Sequence, residues 1–217
     1  MIAGIVSHPH FISLEGGDGA GKSSALAVIR QTLADRGLDV LSTREPGGTP
    51  VAERIRELLL TRGEEVEPLA PKAELLLMFA ARVQHVHAVI RPALREGRWV
   101  VSDRFTDSSY AYQVAGRGLE AALVERLEHE TVGLKPGLTL LLDLDVRVGR
   151  ARASGRDLWP DRIEREQDDF FERVREGFLQ RAAADPARFR VIDAGRGLDE
   201  VAAAVRATVE RHLEALA

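Results

Sequence analysis

Nine residues, GGDGAGKSS at positions 16–24, carry the plainest chemistry in the chain. Gly16, Gly21, Lys22 and Ser23 fit the pattern G-x-x-x-x-G-K-[ST], whose glycines let successive backbone N–H groups wrap a phosphate chain. On this reading the backbone of Gly16, Gly17, Asp18, Gly19, Ala20 and Gly21 cradles a nucleoside triphosphate. Lys22 sets a point charge on its β- and γ-phosphates, and Ser23 and Ser24 open the helix whose N-terminus faces the anion. The Ser23 hydroxyl would ligate Mg²⁺. A glycine-rich turn that merely caps a helix is the bland alternative. However, an apolar stretch precedes the motif and SSALAVIRQTLADRG follows it with helical periodicity, the context a phosphate loop needs.

Three other stretches add charge that a bare nucleotide switch does not need. TREPGGTP places Arg44 beside a Pro-Gly-Gly turn, and SDRF places Asp103 and Arg104 at the end of another apolar run. Arg44 and Arg104 suit a clamp on a second anionic group, and Asp103 suits the metal or its water. Each has a plainer alternative: Arg44 pairs with Glu45, and Asp103 caps the helix starting near Phe105. The third stretch, GRARASGRDLWPDRIER at 149–165, gathers five arginines where the helical pattern is interrupted. Phosphoryl transfer builds negative charge between donor and acceptor, and arginines on a lid that closes over the site would neutralise it while excluding water. Arg152, Arg156 and Arg162 are the candidates, the last two flanking the break. A solvated helix surface with Arg–Glu pairs is the alternative there.

Five apolar runs, HFISLE, LDVLST, WVVSD, LTLLLDL and RFRVIDA, alternate with helical stretches at 22–36, 50–61, 71–96, 105–132, 146–153, 161–184 and 198–215. This alternation predicts an α/β fold: a P-loop NTPase-type doubly wound sheet of five parallel strands flanked by helices, with ligands beyond the carboxyl ends of the strands. The prediction is one domain over residues 1–217, with a loose N-terminal extension at 1–10, a lid at about 150–162, and a helix break at Pro92.

A formal net charge of −4 argues against generic nucleic-acid binding, so an anionic ligand must be met locally. With no cysteine, disulfides, thiol nucleophiles and cysteine zinc sites are excluded. MIAGIV lacks a basic leader and is far too short for a membrane span, which makes the cytoplasm the expected compartment. VSHPH has no third ligand for a metal, and His85 and His87 lack a carboxylate at matching spacing, so packing is their expected role.

The ordered set EGGDGAGKSS, TREPGGT, AELLLMFAARVQ, SDRFTDSSYAYQVAGRG and GRARASGRDLWPDRIE resembles bacterial thymidylate kinases over nearly the whole chain from residue 11 onward. The resemblance implies phosphoryl transfer from ATP to dTMP with Mg²⁺, in a homodimer. It implies that Asp18 meets the dTMP 3′-hydroxyl and that Arg44 and Arg104 hold its 5′-phosphate. It also implies that Arg82 and Ser109 reach the thymine and that Tyr112 crowds the sugar 2′-carbon, with Gln113 beside them. One departure concerns the aromatic residue that stacks on thymine four positions before the arginine: Met78 stands there and Phe79 is displaced by one. One residue turns a helical side chain by about 100°, so Met78 and Phe79 cannot both face the base. Gly19 replaces the arginine that one subclass carries after the P-loop aspartate, which matches the subclass with lid arginines. A kinase for another monophosphate and a regulatory nucleotide switch are the competing readings; a switch needs no second anion clamp.

Overall fold

The computed structural model describes residues 4–61, 67–154, 162–163 and 166–217. Five parallel strands, β1 (Val6–Gly16), β2 (Val40–Arg44), β3 (Trp99–Asp103), β4 (Leu134–Asp143) and β5 (Phe189–Asp193), lie in the order β2-β3-β1-β4-β5. The central strands read as near-continuous apolar runs because helices cover both faces. Register aligns Leu14 with Asp103 and Arg44 with Asp103, so the polar ends of β1, β2 and β3 finish at one edge.

On one face α1 (Lys22–Ala34) and α9 (Leu198–Glu214) pack Ile29, Leu33, Val205 and Val209 against Ile12, Val101 and Leu140. The opposite face is covered by α3 (Pro71–His85), the α5 turn (Thr106–Ser109) with its wide continuation Tyr110–Gly116, and α8 (Asp168–Ala184). The remaining helices are α2 (Pro50–Leu60), α4 (Arg91–Arg95), α6 (Ala121–Leu127) and α7 (Val146–Ser154). Truncating a fully buried side chain such as Leu140 costs about 2–5 kcal/mol, because the cavity left behind collapses only in part.

Two local expectations are corrected. The first strand begins at Val6, which pairs with Leu134, so residues 6–10 belong to the sheet; a register shift between His8 and Ile12 absorbs Pro9. The ring of His10 stacks on Trp99 at 4.7 Å, anchoring a segment whose polar letters read as loose. The second concerns Pro92, which does not break its helix. A π turn at Val86–Ile90 resets the hydrogen-bond ladder, so Pro92 falls in the first turn of α4, where a helix has a donor to spare. The stretch Pro71–Arg95 is long and apolar enough to cross a membrane, but its Leu75, Phe79, Val86 and Ile90 are buried in the core under the sheet.

Candidate functional site

The phosphate loop forms where β1 ends. Gly16, Gly19 and Gly21 all take positive φ, which a side chain would oppose. The Lys22 ammonium folds back onto the Gly16 and Gly17 carbonyls at 3.2 and 2.9 Å, spanning the space where an anion would sit. Burial, with the Arg104 charge nearby, pushes Lys22 down to about 8. Gly19 has a steric reason as well: a Cβ there would lie 2.0 Å from the Gly149 carbonyl oxygen of α7. An arginine at this position would push the arginine-bearing helix away, so a charge on the loop tip and this seating of α7 exclude each other.

Beside the loop, Arg104 has φ 70°, a left-handed conformation that a non-glycine residue adopts only when its surroundings hold it there. Three contacts do so. Arg104 N–H donates to Leu14 O, Ser102 Oγ donates to Arg104 O, and the next N–H, of Phe105, donates to Glu15 Oε1 at 2.7 Å. Burial, with the charge of Asp107, pushes the Glu15 carboxyl up to about 8. The kink aims the Arg104 guanidinium into the cleft, where it donates to Asp18 Oδ1 and Tyr112 Oη, both at 3.1 Å. Asp103 Oδ1 is buried without a hydrogen-bond partner among the described residues, and the Asp103 charge acts on Lys22.

From Arg104 a cleft of about 200 Å³ runs outward between α2, α3 and the Tyr110–Gly116 turn, lined by Lys22, Arg56, Met78, Arg82, Tyr112 and Gln113 among others. Arg82 forms its floor and is held on three sides: Nε donates to Glu45 Oε2 at 2.6 Å, Nη1 to Ser109 Oγ and Nη2 to Phe105 O. A guanidinium has five N–H donors, so two remain for a ligand. His85 completes the support. With Arg82 donating to one Glu45 oxygen, the His85 Nδ1–H donates to the other at 3.1 Å and Nε2 accepts from the Thr43 hydroxyl. This fully buried histidine is thus satisfied on both nitrogens, and the carboxylate that its sequence neighbours do not offer comes from Glu45, forty residues away.

Helical phase resolves the choice at positions 78 and 79. Met78 lines the cleft, whereas Phe79 is buried in the core, its ring 4.8 Å from the Arg82 guanidinium carbon, so Phe79 does not face the ligand space. Arg44 also departs from expectation. Its guanidinium is half exposed, paired with Glu53 at 2.8 Å, and does not line the cleft; Arg56 does, while donating to Pro46 O. Arg162 is tied to Glu74 Oε2 at 2.6 Å and to Leu59 O, away from the phosphate loop, because a buried carboxylate outcompetes open solvent. Arg152 donates to Ala194 O and lines a small pocket of about 40 Å³ with Ala20, Ser24 and Arg196. Arg156 lies outside the described residues. Ser23 is exposed at the start of α1.

Sequence reasoning missed Glu15, Glu45, Glu74 and Arg56. Glu15 and Glu74 are carboxylates set beside apolar runs, and that incongruity was the available signal; Glu45, between Arg44 and Pro46, carried none. A larger cavity, about 350 Å³, lies across the loop between β4, α7 and α8. Two of its cations are ion-paired, Arg175 with Asp143 and Arg150 with Asp168.

Known proteins resemble the chain over most of its length. A family model described as thymidylate kinase matches residues 14–205. The thymidylate kinase of Alkalilimnicola ehrlichii is 55% identical over 90% of this chain and 89% of its own length. That of Neisseria meningitidis serogroup A is 53% identical over 94% and 98%. A crystal structure of thymidylate kinase from Ehrlichia chaffeensis superposes with a TM-score of 0.73 at 31% identity, covering 92% of this chain and 97% of that one. The chain belongs to the thymidylate kinase family, and its reaction is the ATP-dependent phosphorylation of dTMP.

Proposed function

We propose that dTMP lies along the 200 Å³ cleft with its thymine on Arg82, Ser109, Gln113 and Met78, and its 5′-phosphate between Arg104 and Lys22. The observation that carries this reading is the continuity of the cleft from the P-loop lysine, past the strained Arg104, to the buried Arg82. Asp18, at the turn between them, suits the 3′-hydroxyl. Tyr112, held by Arg104, forms the wall against which a 2′-hydroxyl would press.

ATP occupies the phosphate loop from the other side, with its base in the small pocket beside Arg152 and Ala194. Mg²⁺ would fit Ser23 and the Asp103 oxygen that has no partner among the described residues, and would supply charge neutralisation at the β- and γ-phosphates. No cluster of three or more His, Cys or acidic side chains occurs among the described residues, which suits a metal held largely by phosphates and water. Transfer needs no protein nucleophile: the acceptor oxygen attacks in line while Lys22 and Arg104 hold the two phosphates together. Exposed Val51 and Leu58 on α2 and Leu76 on α3 support a homodimer in which these apolar faces meet, and the cytoplasm remains the proposed compartment.

Arg156 supplies positive charge from the lid segment in this reading. Steady-state kinetics of Arg156→Ala should show turnover falling more than ATP affinity, since such a contact strengthens in the transition state. An unchanged turnover number would remove the residue from the catalytic set.

A further inference from the structure

Glu74 of α3 is a buried carboxylate that makes no hydrogen bond or ion pair to the phosphate loop among the described residues; of the residues considered for phosphoryl transfer it meets only Arg162. It accepts from the Gln113 Nε2 at 3.0 Å, from Arg117 Nε and Nη2 at 3.3 Å each, and from Arg162 Nη2 at 2.6 Å. Burial pushes its pKa up, but the bonds from Gln113 and Arg162 and the charge of Arg117 more than offset this and hold it below the ordinary value. Glu74 is therefore an acceptor only.

That has a consequence for Gln113. An amide facing a carboxylate must present its NH₂, so Oε1 points the other way. Gln113 lines the cleft, and its Oε1 has no protein partner among the described residues. Arg82, the neighbouring reader, offers only N–H donors. Together the two present donor beside acceptor. A 4-oxo pyrimidine with N3–H is the complement of this pair. A 4-amino pyrimidine, with a donor at position 4 and a bare N3 acceptor, opposes both members.

We infer that Glu74 is a positioning residue for base specificity: by fixing the amide of Gln113 it makes the cleft read thymine and uracil edges and reject cytosine. The inference rests on the assignment of Gln113 to the base in the proposed binding mode, and deepens it.

The test is Glu74→Gln. Its carboxamide oxygen would be retained by Arg117 and Arg162, turning its NH₂ toward Gln113. Gln113 would then rotate, offering NH₂ to the ligand. Selectivity is read as the ratio of the dCMP inhibition constant to the dTMP KM, with dUMP, which has the dTMP edge, as control. The expected result is a narrowing of about tenfold to a hundredfold, the usual range for one mispaired buried hydrogen bond, with the dUMP-to-dTMP ratio unchanged. The exchange Glu74→Gln with Gln113→Glu puts an acceptor back toward the base and should restore selectivity. Equal loss of dTMP and dCMP binding in Glu74→Gln, tracking a lowered melting temperature, would overturn the inference. Gln113→Ala separates the two layers. Unchanged selectivity in Gln113→Ala would refute the base contact itself. Narrowed selectivity there with none in Glu74→Gln would refute only the role of Glu74.

Discussion

The two ends of the cleft are built on different principles. At the base end Arg82, Ser109 and Gln113 are almost wholly buried, and each is held by a partner that fixes its direction. At the phosphate end the groups are backbone N–H donors, an exposed Ser23, and cations that at present satisfy one another's counter-charges. A planar base is told from its relatives by the direction of single hydrogen bonds, which calls for dipoles set before the ligand arrives. A polyphosphate presents charge in every direction, so a ring of glycines and cations suffices and can rearrange around it.

The contrast is broken most severely at Arg104, which belongs to both ends. Arg104→Ala should lower kcat by about a hundredfold to a thousandfold, as loss of one charge-stabilising donor does elsewhere. Rapid-quench measurement of the chemical step is the check; a tenfold or smaller effect would place the residue outside the reacting phosphates.

Lys22 sharpens the phosphate end through pH. Burial depresses its pKa to about 8, so the free enzyme loses this charge as pH rises through 8, while bound triphosphate requires it. ATP binding should therefore take up a proton above pH 8, and the KM for ATP should climb by up to about tenfold per pH unit there. Calorimetry in buffers of different ionisation enthalpy would detect the uptake. Proton-independent binding between pH 8 and 9 would contradict it.

A smaller difference separates Arg56 of α2 from Arg44 at the end of β2. Arg56 lines the cleft and Arg44 is engaged with Glu53 at the surface. The dTMP KM should rise about tenfold in Arg56→Ala, an effect near 1.4 kcal/mol, and about twofold or less in Arg44→Ala, since exposed ion pairs contribute little. The reverse order would mean that Arg44 leaves Glu53 when dTMP binds.

Legibility followed the same divide. The parallel sheet, the phosphate loop and the placement of Asp103 and Arg104 at strand ends were readable because each depends on local periodicity or on a motif that dictates its own backbone. The supporting carboxylates were not, because Glu15 meets Phe105 and Ser108 across 90 and 93 residues, and Glu74 meets Arg162 across 88. The pairing of Arg162 with Glu74 was hidden for the same reason. The choice between Met78 and Phe79 turned on helical phase, set by how α3 seats on the sheet rather than by its residues alone. At Pro92 and at residues 6–10 a widened turn and a histidine–tryptophan stack replace the usual rule.

The central claim, a base end organised before its ligand arrives, is tested most directly by a crystal structure with dTMP and a non-hydrolysable ATP analogue. Arg82 should remain on Glu45 and Gln113 on Glu74. The thymine 4-oxo group and N3–H should lie within about 3 Å of Arg82 and Gln113, and the acceptor phosphate on Arg104. Thymine bound with either pair broken and rebuilt, or bound away from Arg82, would contradict it.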